Sequence, residues 1–289
     1  MKVDITIEDN VIVFGSGTIA VNCVKLLRKT IRGNIYIFEK KQNAVSVLEK
    51  QVSELPAVYY RPVDENITEI VNNIKSKIIF SINNVYIFPK DLIDKHLIIN
   101  YHNSLLPKHP GRFAEAWAIF EEDKKSGITW HLVVPEVDKG KIILQKDIEL
   151  PLHGLSALTL LSLQTKLAYE SFKEIIDSIY NKKRLNVYAQ QLLTDKPKFH
   201  FSCEKPNNGY LDLKWNIHKI SAFLRSMDYG ILNMLGDFRF TFKNKEYVCK
   251  KYSIDKIENK NFRSINLINN TLEIKDNNIL IKLINLKEI

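Results

Sequence analysis

The sequence predicts an α/β fold in which a mostly parallel sheet with flanking helices precedes a small β-rich region. The chain opens with an apolar strand, a glycine turn, a helix and a second strand, which together make a βαβ unit. Apolar strand-like runs then alternate with helix-like stretches as far as about residue 185. Beyond residue 208, one helix-like stretch is followed by short β-prone runs with polar turns between them.

The elements of the first predicted domain, residues 1–185, follow one another in a Rossmann-like order. Val11–Phe14 is an apolar strand, Gly15-Ser16-Gly17 turns the chain, and Thr18–Thr30 is helical. The further predicted elements are strands at Asn34–Phe38, Lys77–Ile82, His96–Tyr101, Ile128–Val134 and Lys141–Ile148, and helices at Asn43–Glu54, Pro89–Asp94, Phe113–Glu122 and Ala157–Tyr180.

The polar stretch Gln190–Asn208 contains two Lys-Pro pairs, so residues 186–207 are predicted to be a linker. Residues 208–289 form the second predicted domain. Its predicted elements are a helix at Ile217–Met227 and strands at Asp237–Phe242, Glu246–Ile254, Ser264–Leu267, Leu272–Lys275 and Ile279–Ile284. This pattern is typical of a small antiparallel barrel or sheet, so we expect a barrel-like second domain.

The composition, 45% hydrophobic and 26% charged residues, is typical of a soluble globular protein. No apolar run reaches the ~20 residues that a membrane span needs. Acidic residues stand where a signal peptide has its apolar stretch, so we expect a cytoplasmic protein with no membrane contact. Cys23, Cys203 and Cys249 are odd in number and far apart, which argues against a disulfide framework. Neither the cysteines nor the histidines show metal-ligand spacing, so we expect no metal.

The net charge of +9 is concentrated in the last third of the chain. Residues 1–180 contain 22 basic and 22 acidic side chains, whereas residues 181–289 contain 20 and 11. A basic module indicates an anionic partner such as a nucleotide, a tRNA or a phosphorylated sugar. A general bias of the chain toward lysine explains the excess equally well.

The glycine turn offers one functional interpretation. Gly15-Ser16-Gly17-Thr18-Ile19-Ala20 fits G-x-G-x-x-A, and Glu39 follows at the end of the next strand. In a dinucleotide enzyme the glycines admit a pyrophosphate at the helix N-terminus, and the acid binds the ribose hydroxyls. A tight turn between a strand and a helix also favours small residues, so an NAD-dependent enzyme is kept only as an alternative.

A second set of residues indicates chemistry more specifically. Asn100 and His102 are two apart at the end of an apolar strand, so their side chains point the same way. Asp138 stands in a tight loop between two further strands. An amide can stabilise an oxyanion, while an imidazole and a carboxylate can move a proton, and acyl transfer to an amine needs both functions. The sequence therefore predicts Asn100, His102 and Asp138 as the catalytic set.

Three segments resemble the catalytic domain of the 10-formyltetrahydrofolate-dependent formyltransferases: N-Y-H-N-S-L-L-P-K-H-P-G (100–111), A-E-A-W-A-I (114–119) and S-G-I-T-W-H-L-V-V-P-E-V-D-K-G-K-I (126–142). That family includes methionyl-tRNA formyltransferases and N-formyltransferases that act on nucleotide-linked amino sugars. Its pattern is N-x-H-x-S-L-L-P, then G-x-T, with an Asp nine residues after the Thr, and Thr129 and Asp138 keep that interval. The resemblance is close over residues 75–150 and general over 1–185.

The resemblance implies a role for each motif residue. Asn100 binds the formyl oxygen as it becomes an oxyanion. His102 helps to bind that oxygen and passes a proton toward the departing folate nitrogen. Asp138 orients His102 and helps to deprotonate the attacking amine. The donor, 10-formyltetrahydrofolate, is bound by the loop after the first motif and by two stretches that line the pterin pocket; the residues are Ile87, Phe88, Ser104, Leu105, Leu106, Pro107, Val134, Pro135 and Glu136.

The acceptor is less well defined by the resemblance. Lys139 and the segment Arg112–Glu115 depart from the family pattern, and both border the place of the acceptor amine. Methionyl-tRNA formyltransferases carry a basic insertion after the first βα unit, which Phe38–Pro62 lacks. We therefore expect a small-molecule amine on a nucleotide-linked sugar, ahead of another small or carrier-bound amine and of tRNA. The resemblance also favours a homodimer. His109 and His131 lie close enough to the motifs to contact a substrate.

Overall fold

The structure, a computed structural model, describes residues 1–40, 46–151, 154–191 and 197–289, except the side chains of 259–261. The chain divides into two compact units. The first contains residues 1–110, 127–147 and 163–198, and the second contains 111–126, 148–162 and 199–289. These units do not follow the predicted division into a first domain (1–185), a linker (186–207) and a second domain (208–289). That division stays a prediction.

A seven-stranded sheet in the order β3-β2-β1-β4-β5-β6-β7 forms the frame of the first unit. Neighbouring strands from β3 to β5 are parallel, whereas β6 is antiparallel to β5. The strands are β1 (Asn10–Gly15), β2 (Ile35–Glu39), β3 (Val58–Pro62), β4 (Ser76–Ile82), β5 (Leu97–His102), β6 (Lys125–Leu132) and β7 (Ile142–Glu149). This arrangement confirms the predicted mostly parallel α/β fold.

The helices of the chain are α1 (Gly17–Thr30), α2 (Val47–Val52), α3 (Ile67–Asn73), α4 (Lys90–Lys95), α5 (Ala114–Phe120), α6 (Ala157–Tyr180) and α7 (Ile217–Met227). The bounds of α6 and α7 are those that the sequence predicts. Residues 43–45 of the predicted helix Asn43–Glu54 lie outside the described residues. The structure shows no helix that could cross a membrane, among those it describes.

Both faces of β1, in the middle of the sheet, are buried, which explains the continuous apolar run Val11–Phe14. Val11 and Val13 of β1 face the larger core, together with Leu27 of α1 and Phe172 of α6. The alternating residues of β1 face a smaller core, which also contains Val71 of α3 and Leu92 of α4. Successive side chains of β1 therefore point to opposite faces of the sheet, and the side chains on both faces are apolar.

Two elements of the first unit were not predicted. Strand β3 lies at the edge of the sheet, is mostly exposed and ends in Pro62, so it has no buried apolar run that would identify it. Helix α3 is only 7 residues long and buries only Ile67 and Val71. Short elements of this kind depend on tertiary packing more than on local pattern.

The second unit has its own core, which contains residues of α5 and α7 and of two small antiparallel sheets. One sheet pairs β10 (Lys251–Ile268) with β11 (Thr271–Ile284). The other has the order β12-β9-β8 and contains β8 (Phe238–Phe242), β9 (Lys245–Cys249) and β12 (Lys287–Glu288). The predicted β-rich C-terminal region is confirmed, although the predicted strand Glu246–Ile254 is divided between β9 and β10, and the later predicted strands are parts of β10 and β11.

Candidate active site

Strand β5 carries Asn100 and His102 on one side, as the alternation of a strand requires. Tyr101, between them, faces the larger core beside Trp130. His102 is buried and Asn100 is half-buried. Because β6 runs antiparallel to β5, the register pairs Asn100 with His131. The neighbouring strand therefore supplies a second histidine to the predicted catalytic set.

Asn100 and His131 are joined by a hydrogen bond. The Nδ2 of Asn100 lies 3.0 Å from the Nε2 of His131, and the Nδ1 of His131 lies 2.9 Å from the carbonyl oxygen of Leu132. Since a carbonyl only accepts, Nδ1 carries the ring proton, and Nε2 accepts from the amide. His131 thus fixes which way the Asn100 amide points, and one amide hydrogen remains for another acceptor.

Asp138 lies in the loop after β6 and is nearly buried, with 9% of its surface exposed. One carboxylate oxygen is 3.5 Å from Nε2 of His131, and the other is 3.6 Å from Nδ1 of His102. The three residues of the predicted catalytic set are therefore brought together, and His131 connects two of them. We call these four residues, Asn100, His102, His131 and Asp138, the active-site cluster.

The His102 ring is oriented by the backbone. Its Nε2 donates to the carbonyl oxygen of His109 at 3.0 Å, so its Nδ1 faces Asp138. Burial lowers the pKa of His102, and the nearby Asp138 carboxylate and the His109 carbonyl oppose that effect. His102 is therefore neutral near pH 7. His109 contributes its backbone carbonyl to the cluster.

The loop after β5 is held by Thr129 of the G-x-T motif and by two glutamines that the sequence did not single out. The buried hydroxyl of Thr129 donates to the Ser104 carbonyl at 2.6 Å and accepts from the Leu106 amide at 3.1 Å. Gln145 of β7 donates to that hydroxyl at 2.9 Å and to the Leu106 carbonyl at 2.8 Å. Gln164 donates to the Asn103 carbonyl at 2.8 Å. Three buried or half-buried polar side chains thus fix the backbone of this loop.

The predicted donor-binding residues of the loop after β5 differ in exposure. Ser104 and Leu106 are buried, and Ser104 donates to the Lys108 carbonyl at 2.6 Å. Leu105 and Pro107 are half-buried. A Cβ on Gly127 would lie 2.8 Å from Leu105, so this leucine packs against the backbone of β6. The structure thus gives Ser104, Leu105 and Leu106 structural contacts, and their part in donor binding stays a prediction.

The remaining predicted donor-binding residues belong to two stretches, residues 86–88 and 133–136. Phe88 is buried in the smaller core with Phe14, whereas Ile87 is 67% exposed. Val133 packs against the same core, Val134 is half-buried, and Pro135 and Glu136 are exposed. The two stretches therefore border one core on one face of the sheet. This supports the prediction for the backbone and for Ile87, and it makes the Phe88 side chain a core residue.

The glycine turn has a structural explanation. A Cβ on Gly15 would lie 2.8 Å from the Ile82 carbonyl oxygen, so the close approach of β1 to β4 requires glycine. Glu39 is buried, and its carboxylate accepts hydrogen bonds from Ser46 and, at 2.8 Å, from Tyr60. These contacts account for the motif without a dinucleotide, because the acid is bound by hydroxyl groups of its own unit.

The two departures from the family pattern differ in their surroundings. Lys139 is exposed beside Asp138. Glu115, in the second unit, is buried at 2% exposure and accepts a hydrogen bond from Tyr229. Its carboxylate therefore has a structural partner on its own unit. Arg112 is half-buried and lies 5.3 Å from the centre of the Phe113 ring.

The chain matches a family model described as formyl transferase over residues 10–177. Among curated proteins it is 29% identical over 153 residues to a methionyl-tRNA formyltransferase of Alkaliphilus oremlandii, which covers 48% of this chain and 49% of that protein. It is also 27% identical over 213 residues to the bifunctional polymyxin resistance protein ArnA of Wigglesworthia glossinidia brevipalpis, covering 71% and 31%. The chain spans about half or less of the length of the curated relatives that it matches.

Solved structures are similar over nearly the whole chain. An N-formyltransferase from Helicobacter canadensis, in complex with folinic acid and dTDP-3-aminofucose, superposes with a TM-score of 0.73 at 16% identity, covering 97% of this chain and 100% of that one. The sugar 3N-formyltransferase WlaRD, in the presence of dTDP and 5-N-formyl-THF, gives 0.70 at 18% identity, covering 98% of both. These likenesses show that the fold is shared.

Proposed function

Because this chain belongs to the formyl transferase family, we propose that it transfers a formyl group from 10-formyltetrahydrofolate to the primary amine of a nucleotide-linked amino sugar. The observation that carries the proposal is the active-site cluster. Asn100, His131, Asp138 and His102 follow one another at 3.0, 3.5 and 3.6 Å. An amide donor, a neutral imidazole and a carboxylate are the groups that transfer of an acyl group to an amine requires.

Asn100 supplies the electrostatic part of this chemistry. One hydrogen of its Nδ2 is bound by His131, which leaves the second hydrogen for the formyl oxygen, where negative charge develops. Because His131 is itself anchored at Leu132, the amide does not have to reorganise during the reaction. A fixed donor in a half-buried site stabilises the charge more strongly than a mobile one does.

Asp138 and His102 supply the proton transfer. The donor supplies the formyl carbon and leaves through its N10 nitrogen, so a bond from carbon to the amine forms and the bond to N10 breaks. The amine loses one proton and N10 gains one. Asp138 accepts the proton from the amine, and the neutral His102, whose Nδ1 faces Asp138 at 3.6 Å, passes it on. No proton is gained or lost overall.

The donor fits the stretches that border the smaller core. Ile87 is an exposed apolar side chain next to Tyr86, which stacks on Phe14 with ring centres 5.1 Å apart. An uncovered apolar side chain beside an aromatic pair suits a flat heteroaromatic ring. The exposed Pro135 and Glu136 offer backbone groups to the edge of such a ring. These observations support residues 86–88 and 133–136 as the pterin-binding stretches.

Two observations support an amino sugar as the acceptor. Two of the solved structures that are similar over nearly the whole chain contain, by their titles, dTDP-3-aminofucose in one case and dTDP in the other. In addition, the described residues of Phe38–Pro62, which include the end of β2, α2 and β3, contain no basic run that could bind the acceptor stem of a tRNA. Methionyl-tRNA is the second candidate, which the curated relatives favour.

A panel of acceptors tests the proposal. The protein is incubated with 10-formyltetrahydrofolate and, separately, nucleoside-diphosphate amino sugars, free amino sugars and methionyl-tRNA. Release of tetrahydrofolate and the mass of the acceptor are followed. We expect turnover only with nucleotide-linked amino sugars. Turnover with methionyl-tRNA alone would overturn the proposed amino-sugar acceptor but would support formyl transfer. No turnover with any amine, while the donor binds, would overturn the proposal.

A further inference from the structure

The segment predicted as a linker contains Gln190, whose side chain contacts the loop that contains Asp138. The Nε2 group of Gln190 donates to the carbonyl oxygen of Asp138 at 2.7 Å and to that of Gly140 at 2.9 Å. All three residues belong to the first unit. Gln190 is half-buried, whereas its neighbour Gln191 is exposed. One amide group therefore bridges two carbonyls on either side of Lys139.

The loop that Gln190 bridges has a demanding backbone conformation. Asp138 has a φ of +58°, in the left-handed region that is uncommon for residues other than glycine, although aspartate and asparagine adopt it more often than most. At Gly140 a Cβ would lie 1.6 Å from the Leu132 carbonyl oxygen, so only glycine fits there. A left-handed conformation at a non-glycine residue persists where surrounding contacts hold it. The two hydrogen bonds from Gln190 are contacts of this kind.

The path of the chain explains how Gln190 reaches the loop. The backbone of Tyr188 exchanges two hydrogen bonds with that of Ile142, at 2.8 and 3.0 Å, in an antiparallel bridge. Because the two segments are antiparallel, the residue two positions after Tyr188 lies opposite the residue two positions before Ile142. Gln190 is therefore opposite Gly140. The segment predicted as a linker therefore pairs with the edge strand β7 at one residue, Tyr188. Two residues later, its Gln190 reaches the loop that contains Asp138.

We propose that Gln190 is a positioning residue, which holds the Asp138 carboxylate between His102 and His131 by fixing the backbone on both sides of the loop. Gln190 acts through Asp138, because among the described residues its side chain donates to the Asp138 and Gly140 carbonyls and to neither imidazole. The consequence for turnover rests on the proposed function. The consequence for the two histidines rests only on geometry, because the carboxylate lies 3.6 and 3.5 Å from their rings.

The test compares Gln190→Ala and Gln190→Glu with the matched control Gln191→Ala. Gln190→Glu keeps the length of the side chain but, when ionised, cannot donate to a carbonyl. We expect both Gln190 variants to lower kcat about 10-fold with KM for the donor within about twofold, as a displaced catalytic group does. Gln191→Ala should behave as the wild type. Circular dichroism establishes whether each variant is folded. If Gln190→Ala does not fold, Gln190→Glu alone tests the inference.

A second readout does not depend on activity. The pKa values of His102 and His131 are followed by NMR titration in the wild type and the three variants. If Gln190 positions the carboxylate, the pKa of His102 falls in the Gln190 variants, because a nearby carboxylate raises it. Unchanged histidine titration and unchanged kcat in folded Gln190 variants would overturn the inference. A shift in titration without any formyl transfer by the wild type would instead overturn only the proposed function.

Discussion

Two polar clusters of the first unit differ in how their acids are bound. At the glycine turn, the carboxylate of Glu39 accepts hydrogen bonds from the hydroxyls of Ser46 and Tyr60. In the active-site cluster, the carboxylate of Asp138 faces two imidazoles at 3.5 and 3.6 Å, beyond the usual length of a hydrogen bond of about 3 Å. Hydroxyl groups stabilise a carboxylate by hydrogen bonds, whereas an imidazole nitrogen can also exchange a proton with it. The comparison teaches that a polar motif at a strand end indicates a site only when titratable groups meet there.

The largest effect is expected from the oxyanion donor. Asn100→Ala removes the amide that we propose binds the formyl oxygen, and loss of one such donor lowers kcat by roughly 100-fold to 1000-fold. Binding of the donor should be nearly unchanged, because the loop after β5 is fixed by Thr129 and Gln145. Steady-state kinetics and fluorescence titration with folate measure the two quantities. Retained turnover would remove Asn100 from the mechanism.

The two acids provide the most direct test of the comparison. Asp138→Asn keeps the shape of the side chain but cannot accept the amine's proton, so kcat should fall about 100-fold or more with donor binding intact. Glu39→Gln should leave kcat within about twofold and lower the free energy of unfolding by about 1 kcal/mol, because it weakens hydrogen bonds to a charged group. Kinetics and urea unfolding on both variants check this. Equal effects of the two changes on kcat would break the distinction between the clusters.

A smaller effect is expected at His131, which orients Asn100 but is assigned no proton transfer. His131→Ala frees the Asn100 amide to rotate, so we expect kcat to fall about 10-fold, as misorientation of a catalytic group does. The expected loss is therefore smaller than that for Asn100→Ala. Measured in the Asn100→Ala background, His131→Ala should have little further effect on kcat. An effect that is fully additive would show that His131 acts independently of Asn100.

The smallest effect is a pH dependence of stability that follows from His102. Burial lowers its pKa in the folded protein below the usual value of about 6.5. Between the folded and the unfolded pKa, the unfolded chain binds the proton more readily, so the free energy of unfolding falls as the pH falls through this window. Above pH 6.5 this contribution is fully present. Urea unfolding from pH 7 to 5 should show a steeper loss for the wild type than for His102→Gln, and parallel curves would contradict the assignment.

Much of the fold could be predicted because its signals are local. Helices α6 and α7 have the predicted bounds, because apolar residues that recur about every 3.6 positions can be recognised in the sequence alone. Strand β3 and helix α3 could not be predicted, because the strand is an exposed edge and the helix buries few side chains. The alternation that pairs Asn100 with His102 was also readable, because side chains two apart in a strand share a face.

The rest of the candidate site could not be read in the same way. His131 lies opposite Asn100 only because of the antiparallel register of β5 and β6, and no local pattern specifies that register. A signal for His131 did exist, since it alternates with Thr129 along a predicted strand. Gln190 gave no signal, because one glutamine among polar residues is typical of a connector. Its role depends on the pairing of Tyr188 with Ile142.

The sequence by itself thus determined the class of fold, the strand that presents Asn100 and His102 together, and the candidacy of Asp138. Only the tertiary structure decided that Asp138 lies between two imidazoles, that Glu39 is bound by hydroxyls, and that Gln190 bridges the loop. The physical reason is the range of the interactions. Helix and strand periods arise from neighbouring residues, whereas contacts between distant segments depend on register, packing and the path of the whole chain.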